Sequence, residues 1–282
     1  MSVTNQIELL PASAYSIDQL VATYNQTRID YIVPMPMNVQ RLAEYMYLYD
    51  VDPTRSFVAS MEQAILGLAM LGIRGKNGWI TRLGVLPNRR KVGIGETLVR
   101  RLMAEAEALG LSMIMLEVIV NNDPAYQLFL KNKFEPVDEL LVLRRPPRMP
   151  PAITVTTIEW LQRNDILELL DKQKTLLPWT HQVETFRHAL TIEGCRISLA
   201  DGSQGWGIFR RQPLILSHII LHTEVGDPTL VGKALLSQIH RRHPYLDTHA
   251  ENIRVNDPHY AAYRQLGYIE VFRRNEMYYN LT

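Results

Sequence analysis

The sequence predicts an α/β protein with a mixed central sheet, built as two domains in tandem. Three observations carry that prediction. In each half, short apolar runs of strand length alternate with longer segments of helical period. Between the halves lies RRPPRMPP, residues 144–151. Proline fixes φ and lacks an N–H donor, so this stretch reads as a stiff connector rather than a helix interior or a central strand. The second half also repeats the first: EVIVNNDPAY (117–126) aligns without gaps on ENIRVNDPHY (251–260), and GKALLSQI (232–239) is similar to GETLVRRL (95–102). A chain of 282 residues suits two domains. The expected bounds are 1–145, a linker at 146–152, and 153–282.

In order, Ile7 to Leu10 reads as a short strand. Ser16 is an N-cap residue for a helix running to about Thr27. Asn38 to Tyr49 forms a second helix, with Val39, Leu42, Tyr45 and Met46 at helical spacing. Ser56–Met61 and Ala64–Ile73 read as strands joined by a tight turn at Glu62-Gln63, followed by a strand at Trp79–Leu86. Gly93 to Leu109 is a long amphipathic helix, and Gly110 suits the position just past its end. Met113–Val118 is a nearly continuous apolar strand, as expected when both faces are covered. Asp123-Pro124 opens another helix, with proline at the first helical position, and Val137–Leu143 is the next strand. The second half reads as helices near 160–171 and 181–190 and strands near 195–200, 204–210 and 213–222. A helix from about Thr229, a strand near 246–251, a helix at 258–266 and a strand at 268–279 follow.

The apolar fraction of 46% is ordinary for a globular core, and the net charge is +1. Up to Arg148 there are 16 Lys+Arg against 15 Asp+Glu, and after it 14 against 14. Neither half is a basic nucleic-acid module. No apolar run has the length of a membrane span, so no membrane partner is expected. MSVTNQIELLP does not have the make-up of a signal peptide. Cys195 is the only cysteine; it reads as a small core residue and suits a reducing compartment, so a cytoplasmic location is expected. All eight histidines follow residue 180. His218 and His222 could share a strand face, and His240 and His243 flank a helix end. No carboxylate or cysteine stands at ligand spacing with them, so no metal is expected. Trp179, Trp206, Phe186 and Tyr260 read as packing residues, with an acceptor-pocket lining as the other reading.

VLPNRRKVGIGETL (85–98) carries the chemistry. It places Arg89, Arg90 and Lys91, then Gly93 and Gly95, at a strand-to-helix turn. A helix start has free N–H groups and a partial positive charge, and glycines let an anion approach the backbone closely. The guest that fits is a phosphate or pyrophosphate. The Gly-Lys-Ser/Thr of a Walker loop is absent, and the dinucleotide fingerprint lacks its third glycine. On spacing alone, a basic turn before an ordinary glycine-containing helix remains the alternative.

Arg90-x-x-Gly93-x-Gly95 at the exit of a strand resembles the acetyl-CoA loop of the GNAT N-acetyltransferase superfamily. Asn122-x-x-Ala125-x-x-Leu128-Phe129-x-x-x-x-Phe134 resembles the second signature of that family, and the element order over most of residues 5–145 is similar. The resemblance implies two GNAT-like acyl-CoA N-acyltransferase domains in tandem, with acetyl-CoA as acyl donor. It implies that Leu83, Gly84 and Val85 pair with the pantetheine arm. The N–H groups of Val92, Gly93, Ile94, Gly95 and Glu96, with Arg90 and Lys91 nearby, would hold the pyrophosphate, and Asn122 would contact the pantetheine end. The thioester would lie where two parallel strands splay, open to an amine that attacks directly, without an enzyme nucleophile.

Glu117, a lone carboxylate inside MIMLEVIV, is the candidate catalytic base. In a strand covered on both faces its pKa should rise toward a useful range. A structural partner is the other reading of the residue. The Leu116-Glu117-Val118 sequence, used by some branches of the family, favours the base. Two departures stand out. Phe129 occupies the place of the usual tyrosine acid, and Lys133 the place of a glycine. Tyr126 is either a substitute donor or a packing residue. A thiol with a reference pKa of about 8.5 can leave without an acid.

The second half keeps Glu251 and Tyr263 at the base and acid positions. Its loop, Thr223–Thr229, has no Lys or Arg and two carboxylates. Like charge would meet a pyrophosphate there, so cofactor is expected in the first domain only. The second is expected to complete the substrate pocket or support the first. The reading is an acetyltransferase acting on a small-molecule amine; a non-catalytic acyl-CoA-binding regulatory module is the rival.

Overall fold

The computed structural model describes residues 7–62 and 64–281. The first six residues, on which the leader reading partly rests, and Gln63 of the expected turn lie outside the described residues. The chain forms two compact units: Met1–Val137 with Asn275–Thr282, and Asp138–Arg274. These bounds differ from the expected 1–145 and 153–282, because each half of the chain supplies a strand to the other unit. Met277 is fully buried in the core of the first unit, with Tyr279 and Leu281 packed against it. Leu141 and Leu143 belong to the core of the second. The prolines mark where the chain turns stiffly; they carry no information on which sheet a flanking strand joins.

Unit 1 begins with β1 (Glu8–Pro11), α1 (Ile17–Thr27) and α2 (Val39–Leu48). Ser16 and Gln19 cap α1 reciprocally: the Ser16 hydroxyl accepts from the Gln19 N–H at 3.2 Å and Gln19 Oε1 accepts from the Ser16 N–H at 2.8 Å. Asn38 caps α2 by accepting from the Arg41 N–H at 2.8 Å. β2 (Phe57–Met61), β3 (Ala64–Arg74) and β4 (Asn77–Val85) follow, then α3 (Ile94–Ala108), β5 (Met113–Ile119) and α4 (Asp123–Lys131). β1 to β4 are successively antiparallel, and β5 joins β4 in parallel. The apolar stripe of α3 (Ile94, Leu98, Val99, Leu102, Ala106) and Phe129 and Phe134 build the core against the sheet. α1 lies on β3 and β4.

Two irregularities in β4 position the site. Its register with β3 slips between Leu68/Gly84 and Met70/Thr81, and Arg82 takes φ 54°, so the strand bulges there. In addition, β4 pairs with β5 only over Asn77–Trp79 and Met113–Met115, although β4 continues to Val85 and β5 to Ile119. Beyond Trp79 the two parallel strands splay, as the resemblance implies.

Unit 2 repeats the plan. β6 (Glu135–Arg145) pairs antiparallel with a later strand, β11 (Asp247–Arg254). β7 (Thr157–Trp160), α5 (Arg163–Asp171), α6 (Val183–His188), β8 (Ile192–Ser198), β9 (Gln204–Arg211) and β10 (Ile215–Val225) come next. α7 (Pro228–Arg242), β11 (Asp247–Arg254), α8 (Tyr260–Gln265) and β12 (Ile269–Asn280) complete the order. β10 and β11 pair in parallel only over Ile215–Ser217 and Asp247–His249, so this pair diverges too. β7 is the element the sequence reading missed: Thr157-Ile158-Glu159-Trp160 pairs with β8, and the helix expected from 160 starts at Arg163 instead. The β-branched Thr157 and Ile158 favour the pleated surface over the helix.

Candidate active site

The loop after β4 and the start of α3 form one wall of a cavity of about 510 Å3 in unit 1. Of the cofactor-binding residues read from the sequence, Leu83, Gly84, Val85, Arg90, Lys91, Gly93, Ile94, Gly95, Glu96 and Asn122 line it. Val92 does not; its side chain is largely exposed outside the cleft. Gly93 stands at the N-cap of α3 with φ 90°, and no side chain caps the helix. The N–H groups of the first turn are therefore left to a ligand or to solvent. A Cβ built on Gly93 meets nothing within 4 Å, because it would project into open space, while one on Gly95 would stand 3.4 Å from Leu128. An open cradle of uncapped amides fits a diphosphate.

Arg90 is tied down: its Nη1 and Nη2 donate to the two Asp30 carboxylate oxygens at 2.7 and 2.8 Å. It also donates to the carbonyls of Thr27 (3.1 Å) and Val85 (3.2 Å). Arg90 in turn holds the Asp30 carboxyl below its usual range. Arg28 donates to the Leu83 carbonyl at 2.8 Å. A pantetheine arm pairing with this segment has to share or replace the bonds that Arg28 and Arg90 make to it. Arg89 and Lys91 remain exposed at the loop. Glu96, a negative charge beside the cradle, is neutralised by Lys131 at 2.6 Å and Arg100 at 2.7 Å, which hold its carboxyl below the usual carboxylate range. Asn122 precedes α4 without capping it, and its amide donates to the Tyr31 hydroxyl at 3.3 Å.

Glu117 is the half-buried position of β5 between fully buried neighbours Leu116 and Val118. The indole N–H of Trp79 donates to Glu117 Oε2 at 2.9 Å. Trp79 lies 6.0 Å from the Tyr45 ring and 5.8 Å from the Tyr49 ring, centroid to centroid. Tyr45 and Thr81 hydroxyls are 2.5 Å apart, and burial pushes the Tyr45 phenol up to about 12. The carboxylate is thus held by an indole in an aromatic shell at the splay. Phe129 is buried edge-to-face against Phe134 at 5.7 Å, so the position of the usual acid is filled by core. Tyr126 packs against the same core.

In unit 2 the equivalent helix start is closed. Asp227 accepts from the Thr229 N–H at 3.0 Å and caps α7, and Glu224 adds a second carboxylate, 3.5 Å from Arg196. Glu251 is paired with Arg274 at 2.8 Å. Tyr263 is buried against Tyr268 at 5.0 Å, and burial raises its phenol well above the usual value. The histidines are spread over several partners: His240 bonds the Tyr268 hydroxyl (2.9 Å), His243 pairs with Glu193 (2.9 Å), and His222 stacks on Trp206 (4.9 Å). No group of three or more His, Cys, Asp or Glu side chains able to hold a metal is found among the described residues. Cys195 is buried in the core, where desolvation pushes its thiol up to about 12. Trp179, Trp206 and Phe186 are fully buried, and Trp206 also lines a cavity of about 310 Å3 in unit 2.

A splayed parallel strand pair beside an uncapped, glycine-lined helix start is the arrangement that the resemblance to GNAT transferases implies. The comparisons agree. Residues 20–134 match the acetyltransferase (GNAT) family model. An acetyltransferase of Sodalis glossinidius is 34% identical over 92 residues, which is 33% of this chain and 65% of that protein. An acetyltransferase of Pectobacterium atrosepticum is 34% identical over 94 residues, 33% of this chain and 67% of that protein. The tandem GNAT protein from the clavulanic acid biosynthesis pathway superposes with a TM-score of 0.68 at 14% identity, covering 98% of each chain. A GCN5-related N-acetyltransferase from Sphaerobacter thermophilus gives 0.66 at 13%, covering 97% of this chain and 95% of that one. At such identities the structural likeness speaks for the fold alone. The chain belongs to the GNAT acetyltransferase family. No helix among the described residues is long and apolar enough to cross a membrane.

Sequence reasoning missed the far wall. Tyr31 lines the cavity and holds Asn122, while Arg28 and Asp30 fix the β4 backbone and Arg90. These residues sit in TRIDY, just after α1, and nothing in their spacing marks them; only their contacts across some 55 to 91 residues of chain do.

Proposed function

We propose that unit 1 transfers the acetyl group of acetyl-CoA to the amine of a small metabolite by direct attack, with no covalent enzyme intermediate. The observation that carries this reading is the conjunction of an uncapped α3 start with the Glu117 carboxylate at the splay of β4 and β5. When bound, the thioester supplies an activated acyl carbon and a thiolate leaving group. The first-turn amides of α3, from Val92 to Glu96, hold the diphosphate, with Arg89 and Lys91 adding exposed positive charge. The Leu83–Val85 backbone and Asn122 orient the pantetheine arm. Glu117, its orientation fixed by the Trp79 indole, takes the proton from the acceptor ammonium so that the neutral amine can attack. The C–N bond forms as the C–S bond breaks. The proton the thiolate needs comes from solvent or from the product nitrogen, since Phe129 has none to give.

Glu117→Gln should lower kcat by roughly 100- to 10,000-fold, the usual contribution of a general base, and move the optimum to higher pH, where the amine is already neutral. An unchanged pH–rate profile removes Glu117 as the base. The buried phenyl of Phe129 favours a second reading, a non-catalytic acyl-CoA-binding module. Release of free thiol from acetyl-CoA across a panel of amines separates the two: binding of the donor with no turnover supports the module.

A further inference from the structure

Arg82, at the bulge of β4, is a cation without a counter-ion. Its Nη1 donates to the Tyr24 hydroxyl at 3.0 Å and contacts Met35 Sδ at 3.9 Å. Its Cζ lies 4.0 Å from the centroid of Tyr45 and 5.3 Å from that of Tyr24. Tyr45 remains a neutral phenol, because burial pushes its pKa up to about 12. No described carboxylate lies within ion-pair distance of Arg82, and its Nε, shielded from solvent, has no hydrogen-bond partner. Other arginines of the unit are satisfied differently: Arg55 and Arg101 pair with Glu105, Arg74 with Asp50, and Arg90 with Asp30. A second cation, Arg28, lies 5.3 Å over the same Tyr24 ring.

A desolvated guanidinium with an unmet donor is costly, and it becomes favourable when an anion completes it. Aromatic faces offset only part of that cost. The position matters as much as the charge. Arg82 precedes Leu83 of the splayed segment. It stacks on Tyr45, whose ring also touches Trp79, the residue that holds Glu117. The cation without a counter-ion and the carboxylate base therefore share one aromatic shell beside the bulge.

We propose that Arg82 binds a carboxylate of the acceptor, so that the substrate is an amino-acid-like amine carrying a carboxylate beside the nitrogen to be acetylated. This rests on the acetyltransferase reading above. Nε and one Nη are the parallel pair of donors that a carboxylate takes side-on, and the side chains that shield Nε have to part to admit it. A single positive charge matches a monoanion; a phosphate dianion would leave excess negative charge in a half-buried shell that already contains Glu117.

The test uses the full-length protein with acetyl-CoA and four matched acceptor pairs: phenylalanine with phenethylamine, histidine with histamine, tryptophan with tryptamine, and lysine with cadaverine. In wild type, kcat/KM for the amino acid should exceed that for its decarboxylated partner by at least about tenfold for the pairs that react. In Arg82→Gln that ratio should fall roughly tenfold to a hundredfold, mainly through KM. Arg82→Lys, which keeps the charge and loses the fork, should fall between. Unaltered CoA affinity and far-ultraviolet circular dichroism would show that the variants fold. A wild-type ratio of one or less, or a ratio unmoved by Arg82→Gln, overturns the proposal. If CoA binds and no amine reacts, the acetyltransferase reading fails, and calorimetry of the four amino acids with CoA-loaded protein decides the carboxylate site by itself. Binding weakened at least about tenfold in Arg82→Gln sustains it, and no binding of any of the four, or equal binding, overturns it.

Discussion

Gly84→Ala is a one-carbon perturbation whose consequence can be worked from the structure. A Cβ at Gly84 would lie 2.3 Å from Thr27 Oγ1, 2.8 Å from its Cβ and 3.2 Å from its Cγ2. Thr27 is buried and is the last residue of α1, and its hydroxyl is held by the Tyr24 carbonyl at 2.7 Å, so it cannot rotate away freely. The end of α1 has to retreat from β4 by about 1 Å to restore van der Waals contact. That retreat moves the segment from which Arg28 reaches the Leu83 carbonyl, Asp30 pairs with Arg90 and Tyr31 meets Asn122. Overpacking of this kind costs about 1–3 kcal/mol. At about 2–4 °C per kcal/mol for a domain of this size class, the thermal midpoint should fall by roughly 2–12 °C. CoA affinity should fall with it. Thr27→Ala removes the two γ atoms and should restore part of both losses in the double variant, a coupling that a double-mutant cycle measures. If Gly84→Ala leaves midpoint and affinity unchanged, or Thr27→Ala gives no relief, the packing of α1 on β4 does not hold the cleft as described.

In unit 2, burial depresses His181 to about 4 and His240 to about 3, from the ordinary value near 6.5. Both imidazoles are neutral in the fold and take up protons more readily when unfolded. The unfolded state then binds more protons below about pH 6.5, and stability falls on acidification toward pH 4, by about 1.4 kcal/mol per residue per pH unit. Denaturant titrations at pH 7 and 5 should show the loss, and His181→Gln should flatten the slope; equal stability at both pH values contradicts it. Asp227→Ala, which uncaps α7, should cost about 1 kcal/mol by chemical unfolding. It should not give unit 2 measurable CoA affinity, because Glu224 still faces that loop.

The sequence made much of this molecule legible. The alternation of strand and helix and the capping residue Ser16 are written in the sequence, and the residues read there for the donor site, Val92 excepted, line one cavity. These features are local: a cap, a period or a glycine turn is written in consecutive residues. The long-range features were not legible. The strands at 135–145 and 275–280 join cores that the linker prolines do not report. The anchoring of Arg90 by Asp30 spans 60 residues, and β7 escaped because a four-residue strand has too little pattern to stand against a neighbouring helix. The Trp79 indole against Glu117 was equally invisible, since a strand pattern gives the side chain's face and not its partner.

The central claim is that exposed amides at the start of α3 hold the diphosphate of the acyl donor. Calorimetric titration of CoA into wild type and into Gly93→Val and Gly95→Val tests it most directly. Both substitutions should weaken CoA binding by at least about tenfold, Gly93→Val also through its φ of 90° and Gly95→Val by filling the space between Val85 and Leu128. Wild-type affinity in both variants would contradict the account.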